Sequence, residues 1–223
     1  MKERPILFSA PMVRAILDGT KTQTRRIAPI TDLTIVPHDH GMVAWTVRFS
    51  KPLRGIKASH SGGKFTDENA QRIIASQFNP YGEPGDRLWV RETWMDLRGT
   101  GVEHRPTPES ALQRYAYAAD TPPGSYGDEA RKQYGLKWRP SIHMPRTVSR
   151  INLEIKGVRV ERLHDISRGD AMSEGCPFPN MANGVDPRRW YAELWEQING
   201  PFSWDANPWV WVVEFKTMNQ GGV

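Results

Sequence analysis

The sequence has only one cysteine, Cys176, so no disulfide can form within the chain. It also lacks the Cys and His spacings of zinc sites, and no apolar run is long enough to span a membrane. The short N-terminal apolar stretch is interrupted by Arg14, which is unlike a secretory signal peptide. These absences predict a cytoplasmic protein with no metal, no cofactor and no membrane partner.

Acidic residues are slightly fewer than basic ones, 25 Asp and Glu against 30 Lys and Arg, which gives a formal net charge of +5. This mild excess fits either an ordinary basic surface or a polyanionic partner, and arginines beside aromatic rings would favour the second. The 223 residues include nine Trp, seven Phe and six Tyr. Burying so many rings requires a substantial core, and the length favours one domain with insertions.

Capping residues and apolar periodicity predict four helices. The first follows the N-cap Ser9 and ends at Gly19, and a short second helix is predicted near residues 67–77. A third runs from the capping-box residue Ser167 to about Glu174. The fourth opens at residues 186–187 and presents one apolar face, made of Trp190, Leu194, Trp195 and Ile198.

Alternating or continuous apolar residues predict strands at 42–49, 87–94, 115–118 and 209–215. Residues 151–163 form either a strand pair or one long bent strand, and 20–26 form a basic loop. Pro140 and Pro145 make 138–146 extended. Residues 28–80 and 95–140 are interpreted as insertions. With few helices and no repeated βαβ unit, the pattern favours an α+β fold built on a small mixed β-barrel.

Four ordered blocks resemble the ASCH family of the PUA-like superfamily. The first is Gly19-Thr20-Lys21-Thr22-Gln23-Thr24-Arg25-Arg26, which matches the family signature of Gly, any residue, Lys, four residues and Arg. The others are 84–90, 163–175 and the closing strand 209–216. The chain is also similar to longer ASCH proteins of bacteria and their phages. The resemblance implies a single PUA-like barrel spanning residues 1–223.

Some compact ASCH proteins are N4-acetylcytidine amidohydrolases, and their proposed catalytic set falls on Lys21, Thr24 and Glu174 of this sequence. Amide hydrolysis needs a nucleophile, a group that takes its proton and a donor for the leaving amine. The resemblance therefore implies an amidohydrolase acting on an N4-acylated cytidine or a related modified nucleoside or RNA. The alternatives are a single-strand ribonuclease and a non-catalytic RNA-binding module.

A basic, aromatic cleft is the second prediction, and it includes Glu92 as an undecided ion-pair partner. This cleft is expected to contact RNA or a modified nucleoside, with arginines pairing with phosphates and rings stacking on bases. Trp89, Trp209 and Trp211 are assigned to the core instead. The predicted binding residues are Arg25, Arg26, Arg91, Glu92, Trp94, Trp138, His143, Arg146 and Arg150.

Each of these motifs also has an ordinary structural interpretation. A lysine after a helix end is often a solvated charge, and loop threonines often bond their own backbone. The arginines can pair with acids, and the tryptophans can be core. His38-Asp39-His40 resembles a metal pair, but a third ligand is absent nearby, so no metal site is predicted there. Cys176 is interpreted as a structural thiol.

Overall fold

The computed structural model describes residues 1–38, 42–50, 67–103, 108–109, 111–177 and 186–218. These residues form an α+β structure, which confirms the predicted class. The strands are β1 Glu3–Leu7, β2 Gln23–Ile27, β3 Ile30–His38, β4 Met42–Phe49, β5 Arg87–Arg91, β6 Trp94–Asp96, β7 Tyr115–Tyr117, β8 Asn152–Arg162 and β9 Trp209–Met218. The α-helices are α1 Ala10–Leu17, α2 Asp67–Phe78, α3 Tyr126–Gln133, α4 Arg168–Ser173 and α5 Pro187–Asn199.

The chain divides into two compact units. The first contains residues 1–19, 87–153 and 217–223, and the second contains 20–86 and 154–216. Because compact units within one chain need not fold independently, the single domain spanning 1–223 stays a prediction.

In the first unit, β1 and β5 pair in parallel, with Glu3 opposite Arg87 and Leu7 opposite Arg91. Leu88 and Val90 are buried on one face of β5, whereas the residues that alternate with them are partly exposed. A separate short antiparallel pair, β6 and β7, leads into a small core of Trp94, Met144 and Val148.

In the second unit, β9 lies between β8 and β2 in the sheet. Val210 and Val212 pack with residues of α4 and α5, including Ala171, Tyr191 and Trp195. Trp209 and Trp211 point to the opposite face, because strand side chains alternate. There they pack with residues of α2 and of the β3–β4 hairpin, including Ile74, Phe78 and Val47.

Most predicted elements are present. α1 starts after the N-cap Ser9, and Gly19 has the positive φ of 75° expected at a helix end. α2, β4, β5, β7, α4, α5 and β9 lie within a few residues of the predicted ranges. Residues 152–162 form one strand, which decides between the two alternatives.

Several predictions were wrong. The basic loop contains β2, which pairs with β9. The segment 138–146 contains one 3₁₀ helix, Ser141–His143, and the first residue of another, Arg146–Val148, because each proline sits at an N-cap, where its missing N–H costs nothing. β1, β3 and α3 were not predicted.

The sheets in the described residues are open, so the PUA-like barrel is not confirmed and stays a prediction. Residues 39 and 40 of the His-Asp-His motif lie outside the described residues.

Candidate active site

Strand alternation in the second unit gathers a charged cluster on one face of the sheet. Arg25 of β2 lies opposite Val212, so it shares the face that packs against α4 and α5. In β8, Val160 packs on the Trp209 and Trp211 side, which leaves Arg159 and Glu161 on the face of Arg25. The second unit therefore carries a row of charged side chains beneath α4.

Lys21 and Glu174 form the centre of this cluster. The Lys21 ammonium donates to the Glu174 carboxylate at 2.6 Å and to the Glu174 carbonyl oxygen at 2.9 Å. A backbone bridge between the same two residues holds the segment before β2 against the end of α4. Both side chains are almost completely buried, with exposures of 0% and 2%. This pair joins two of the three residues that the ASCH resemblance implies.

Arg25 holds the second oxygen of Glu174. Its Nη1 donates to Glu174 Oε1 at 3.2 Å, while its Nε and Nη2 both donate to Glu161 Oε1, at 3.0 and 2.6 Å. Arg159 donates to the other oxygen of Glu161 at 2.8 Å and to Asp170 at 2.9 Å. The Glu174 carboxylate is thus fixed by a cation on each oxygen, and its orientation is well defined.

Burial changes the proton affinities in this cluster. It lowers the pKa of the Lys21 ammonium below its ordinary value, even though the charge of Glu174 opposes this. Burial also acts to lower the pKa of Arg25, but Glu174 and Glu161 outweigh it and the pKa is raised. The pKa of Tyr191, whose ring lies 5.9 Å from the Arg25 guanidinium, is raised well above its ordinary value by burial. Lys21 is therefore a buried amine that loses its proton more easily than a solvated lysine.

Thr24 does not join the Lys21–Glu174 pair. It lies opposite Val213 in the β2–β9 register and therefore points away from Arg25. Its hydroxyl is buried and has no hydrogen-bond partner among the described residues. Of the implied catalytic set, the structure brings Lys21 and Glu174 together and places Thr24 on the other face of β2.

The remaining predicted residues of the second unit are the two signature arginines. The Arg25 side chain is completely buried against carboxylates, so it is not exposed for contact with RNA phosphates. Arg26 lies on the opposite face of β2, next to Trp211 in the register, and donates to the Arg25 carbonyl.

The other predicted binding residues lie in the first unit. Glu92 is 1% exposed and pairs with Arg150, whose guanidinium also binds Asp120 and stands 4.0 Å from the Tyr117 ring centroid. Burial raises the pKa of Glu92, although Arg150 opposes the change. This arrangement answers the open question of the Glu92 partner.

The predicted aromatic residues divide between core and surface. Trp94 is 4% exposed and packs in the core, so its ring offers no open face for a base. Trp138 is half-buried beneath Arg131, and His143 is exposed. Trp89 was wrongly assigned to the core: it is only partly buried, and the guanidinium groups of Arg91 and Arg146 lie over its ring.

Sequence reasoning missed Glu161, Asp170 and Arg159. The alternating pattern of β8 showed that residues 159 and 161 share a face, but it contained no signal that this face meets Arg25. Asp170 was recognised only as a capping residue of α4, a role it does have with Ser167.

Arg159 and Glu214 also line a cavity of about 430 Å³ in the second unit. Neither this cavity nor one of about 690 Å³ in the first unit is lined by Lys21, Thr24 or Glu174.

Within the described residues, no group of three His, Cys, Asp or Glu side chains is arranged to hold a metal ion. In the same part of the chain, no helix is long and apolar enough to cross a membrane. Comparison with protein-family models, with curated proteins and with solved structures found no match.

Proposed function

We propose that this chain is an ASCH-type hydrolase that removes an acyl group from N4 of an acylated cytidine, as a free nucleoside or within RNA. The observation that supports the proposal is the buried Lys21–Glu174 pair, in which an amine of lowered pKa lies 2.6 Å from a fixed carboxylate. Membership of the ASCH family, the PUA-like barrel and a cytoplasmic location belong to the same proposal.

The chemistry requires one water molecule and one proton transfer. Water forms the new C–O bond to the acyl carbon, and the Lys21–Glu174 pair accepts the proton that the water loses. The C–N bond then breaks, and the pair returns that proton to the departing N4 nitrogen, giving a carboxylic acid and cytidine. Water is the nucleophile here because Thr24 points to the other face of β2. A catalytic role for Thr24 stays a prediction of the family resemblance.

A substrate must reach a pair that is 0% and 2% exposed, so binding has to separate α4 from the segment before β2. Motions that open and close a site around its substrate are common in enzymes. If the Lys21–Glu174 pair only stabilised the fold, the purified protein would release no cytidine, and this outcome is measurable.

The test is to incubate the purified full chain with N4-acetylcytidine and to measure cytidine by chromatography. Lys21→Met and Glu174→Gln are expected to lower kcat by about 10²- to 10⁴-fold, the usual contribution of a general acid or base. Lys156→Met is the matched control, because Lys156 is exposed and pairs with Glu154 outside the cluster. A folded Lys21→Met variant with full activity would disprove the proposal, as would an inactive wild type.

Single-stranded RNA in parallel reactions separates the rival activity. If RNA is cleaved and no cytidine is released, the chain is a ribonuclease and not an amidohydrolase. If cytidine is released, its rate should rise with pH through the lowered pKa of Lys21, because the neutral amine is the form that accepts a proton.

A further inference from the structure

The open face of the β1–β5 pair in the first unit combines an aromatic ring with guanidinium groups. Strand alternation places Arg87, Trp89 and Arg91 on this face of β5, because Leu88 and Val90 are buried on the other. The parallel register sets Glu3, Pro5 and Leu7 of β1 beside them, and all three are exposed. We call this surface, completed by Arg146, the Trp89 face.

The Trp89 ring lies beneath two cations. The guanidinium carbons of Arg91 and Arg146 are 5.3 and 5.8 Å from its centroid. Arg91 is held by a hydrogen bond of 3.0 Å to the Met144 carbonyl, and Arg146 by one of 2.8 Å to Asn152. The planar groups are therefore ordered before any ligand arrives, which reduces the entropy lost on binding.

The charges on the Trp89 face do not balance. Glu3 is the carboxylate that serves both Arg87, at 4.0 Å, and Arg146, at 3.1 Å. Among the described residues of β1 and β5 with Arg146, three arginines thus face one acidic side chain. Arg87, Glu3 and Arg146 keep 34%, 39% and 40% of their side-chain surface exposed, so an anion can replace the shared carboxylate at low cost.

We propose that the Trp89 face binds single-stranded nucleic acid. A base stacks on the Trp89 ring or on the guanidinium plane above it, and the neighbouring phosphates pair with Arg87 and Arg146. Stacking on aromatic and guanidinium planes suits unpaired bases, whereas a duplex hides the base faces. Binding at this face needs no hydrolysis at Lys21, so it and the proposed amidohydrolase activity can fail separately.

The test measures fluorescence anisotropy of labelled oligouridylate of about 12 nucleotides, a length within the usual site size. Trp89→Ala is expected to weaken binding by about 5- to 140-fold, the loss of one stacked base, and Trp89→Phe to retain most of the affinity. Arg146→Gln should lower the slope of log K against log salt by about 0.7 for the phosphate contact that it removes.

Glu3→Gln is expected to change the affinity in the opposite direction. It removes the carboxylate that competes with phosphate, so it should strengthen binding. Arg98→Gln is the matched control, since Arg98 is an exposed arginine over a tyrosine ring that lies outside the Trp89 face. Unchanged affinity in folded Trp89→Ala and Arg146→Gln would overturn the proposal and reduce the ring–guanidinium contacts to packing. Equal affinity for a duplex of the same sequence would overturn it too. Thermal melting of each variant identifies those that fold.

Discussion

Replacing Glu174 by glutamine should destabilise the protein by an amount that depends on pH. The substitution preserves shape but replaces the carboxylate that the buried Lys21 ammonium contacts at 2.6 Å by a neutral amide, while the Glu174 carbonyl stays at 2.9 Å. Removing one partner of a buried ion pair typically costs about 3 to 5 kcal/mol. Arg25 loses less, because it keeps its two hydrogen bonds to Glu161. We therefore expect a loss of about 3 kcal/mol near neutral pH, at the lower end of that range.

The loss should shrink as pH rises. In the variant, burial lowers the Lys21 pKa further, because the carboxylate that opposed the change is gone. Between the Lys21 pKa of the variant and that of the wild type, which is itself below 10.5, the folded variant binds fewer protons at Lys21 than the folded wild type does. In this window the variant gains stability relative to the wild type as pH rises, by up to about 1.4 kcal/mol per pH unit for one proton. Above the window both proteins gain equally, so the difference stays constant.

Urea unfolding followed by tryptophan fluorescence, at about pH 7 and about pH 9, measures both effects. Lys21→Met/Glu174→Gln is the control, since without the amine its stability relative to the Lys21→Met protein should not depend on pH. A Glu174→Gln destabilisation that stays below about 1 kcal/mol, or that does not change with pH, would refute the description of Lys21 as a buried and protonated partner.

Three further predictions concern the same unit. Thr24→Val should change the free energy of unfolding by less than about 1 kcal/mol and leave the proposed turnover intact, because the Thr24 hydroxyl is buried without a hydrogen bond; a folded but inactive variant would restore Thr24 as the nucleophile. Ser167→Ala should cost about 1 kcal/mol in urea unfolding, since its hydroxyl caps α4 by accepting from the Asp170 N–H, and an unchanged midpoint would contradict this. Burial raises the pKa of Asp170, but hydrogen bonds from Ser167 and Gln23 outweigh it and the pKa falls below 3.8, so its stabilising effect is present above that value and is lost at lower pH. Asp170→Asn should therefore make the free energy of unfolding fall less steeply as the pH drops below 3.8. The same steepness in both proteins would argue against this role of Asp170.

Local patterns predicted most of the helices, because the residues that cap a helix are close together in the sequence. Ser9 and Gly19 mark α1, and Ser167 with Asp170 marks α4. β2 was missed for the opposite reason. Gln23, Thr24 and Arg25 are polar and carry no apolar alternation, yet all three are buried. Gln23 and Arg25 are buried with partners that other parts of the chain supply, Asp170 and Glu161, and no local pattern reports that.

The Trp89 face shows the same limit. The sequence grouped the three tryptophans of its apolar strands as core, and this holds for Trp209 and Trp211. Whether Trp89 is covered depends on which elements pack over β5, and that is decided by β1 and by residues near Arg146. Exposure is a property of the assembled unit and not of the strand.

For the charged cluster, the sequence alone determined that Lys21 follows a helix end and that Glu174 ends a capped helix. It did so because caps and turns depend on residues only a few positions apart. Only the tertiary structure decided that the two meet at 2.6 Å, that Arg25 belongs with them and that Thr24 does not. Those facts depend on strand pairing and on the packing of α4 across more than a hundred residues, since side-chain alternation assigns a face only once the sheet exists.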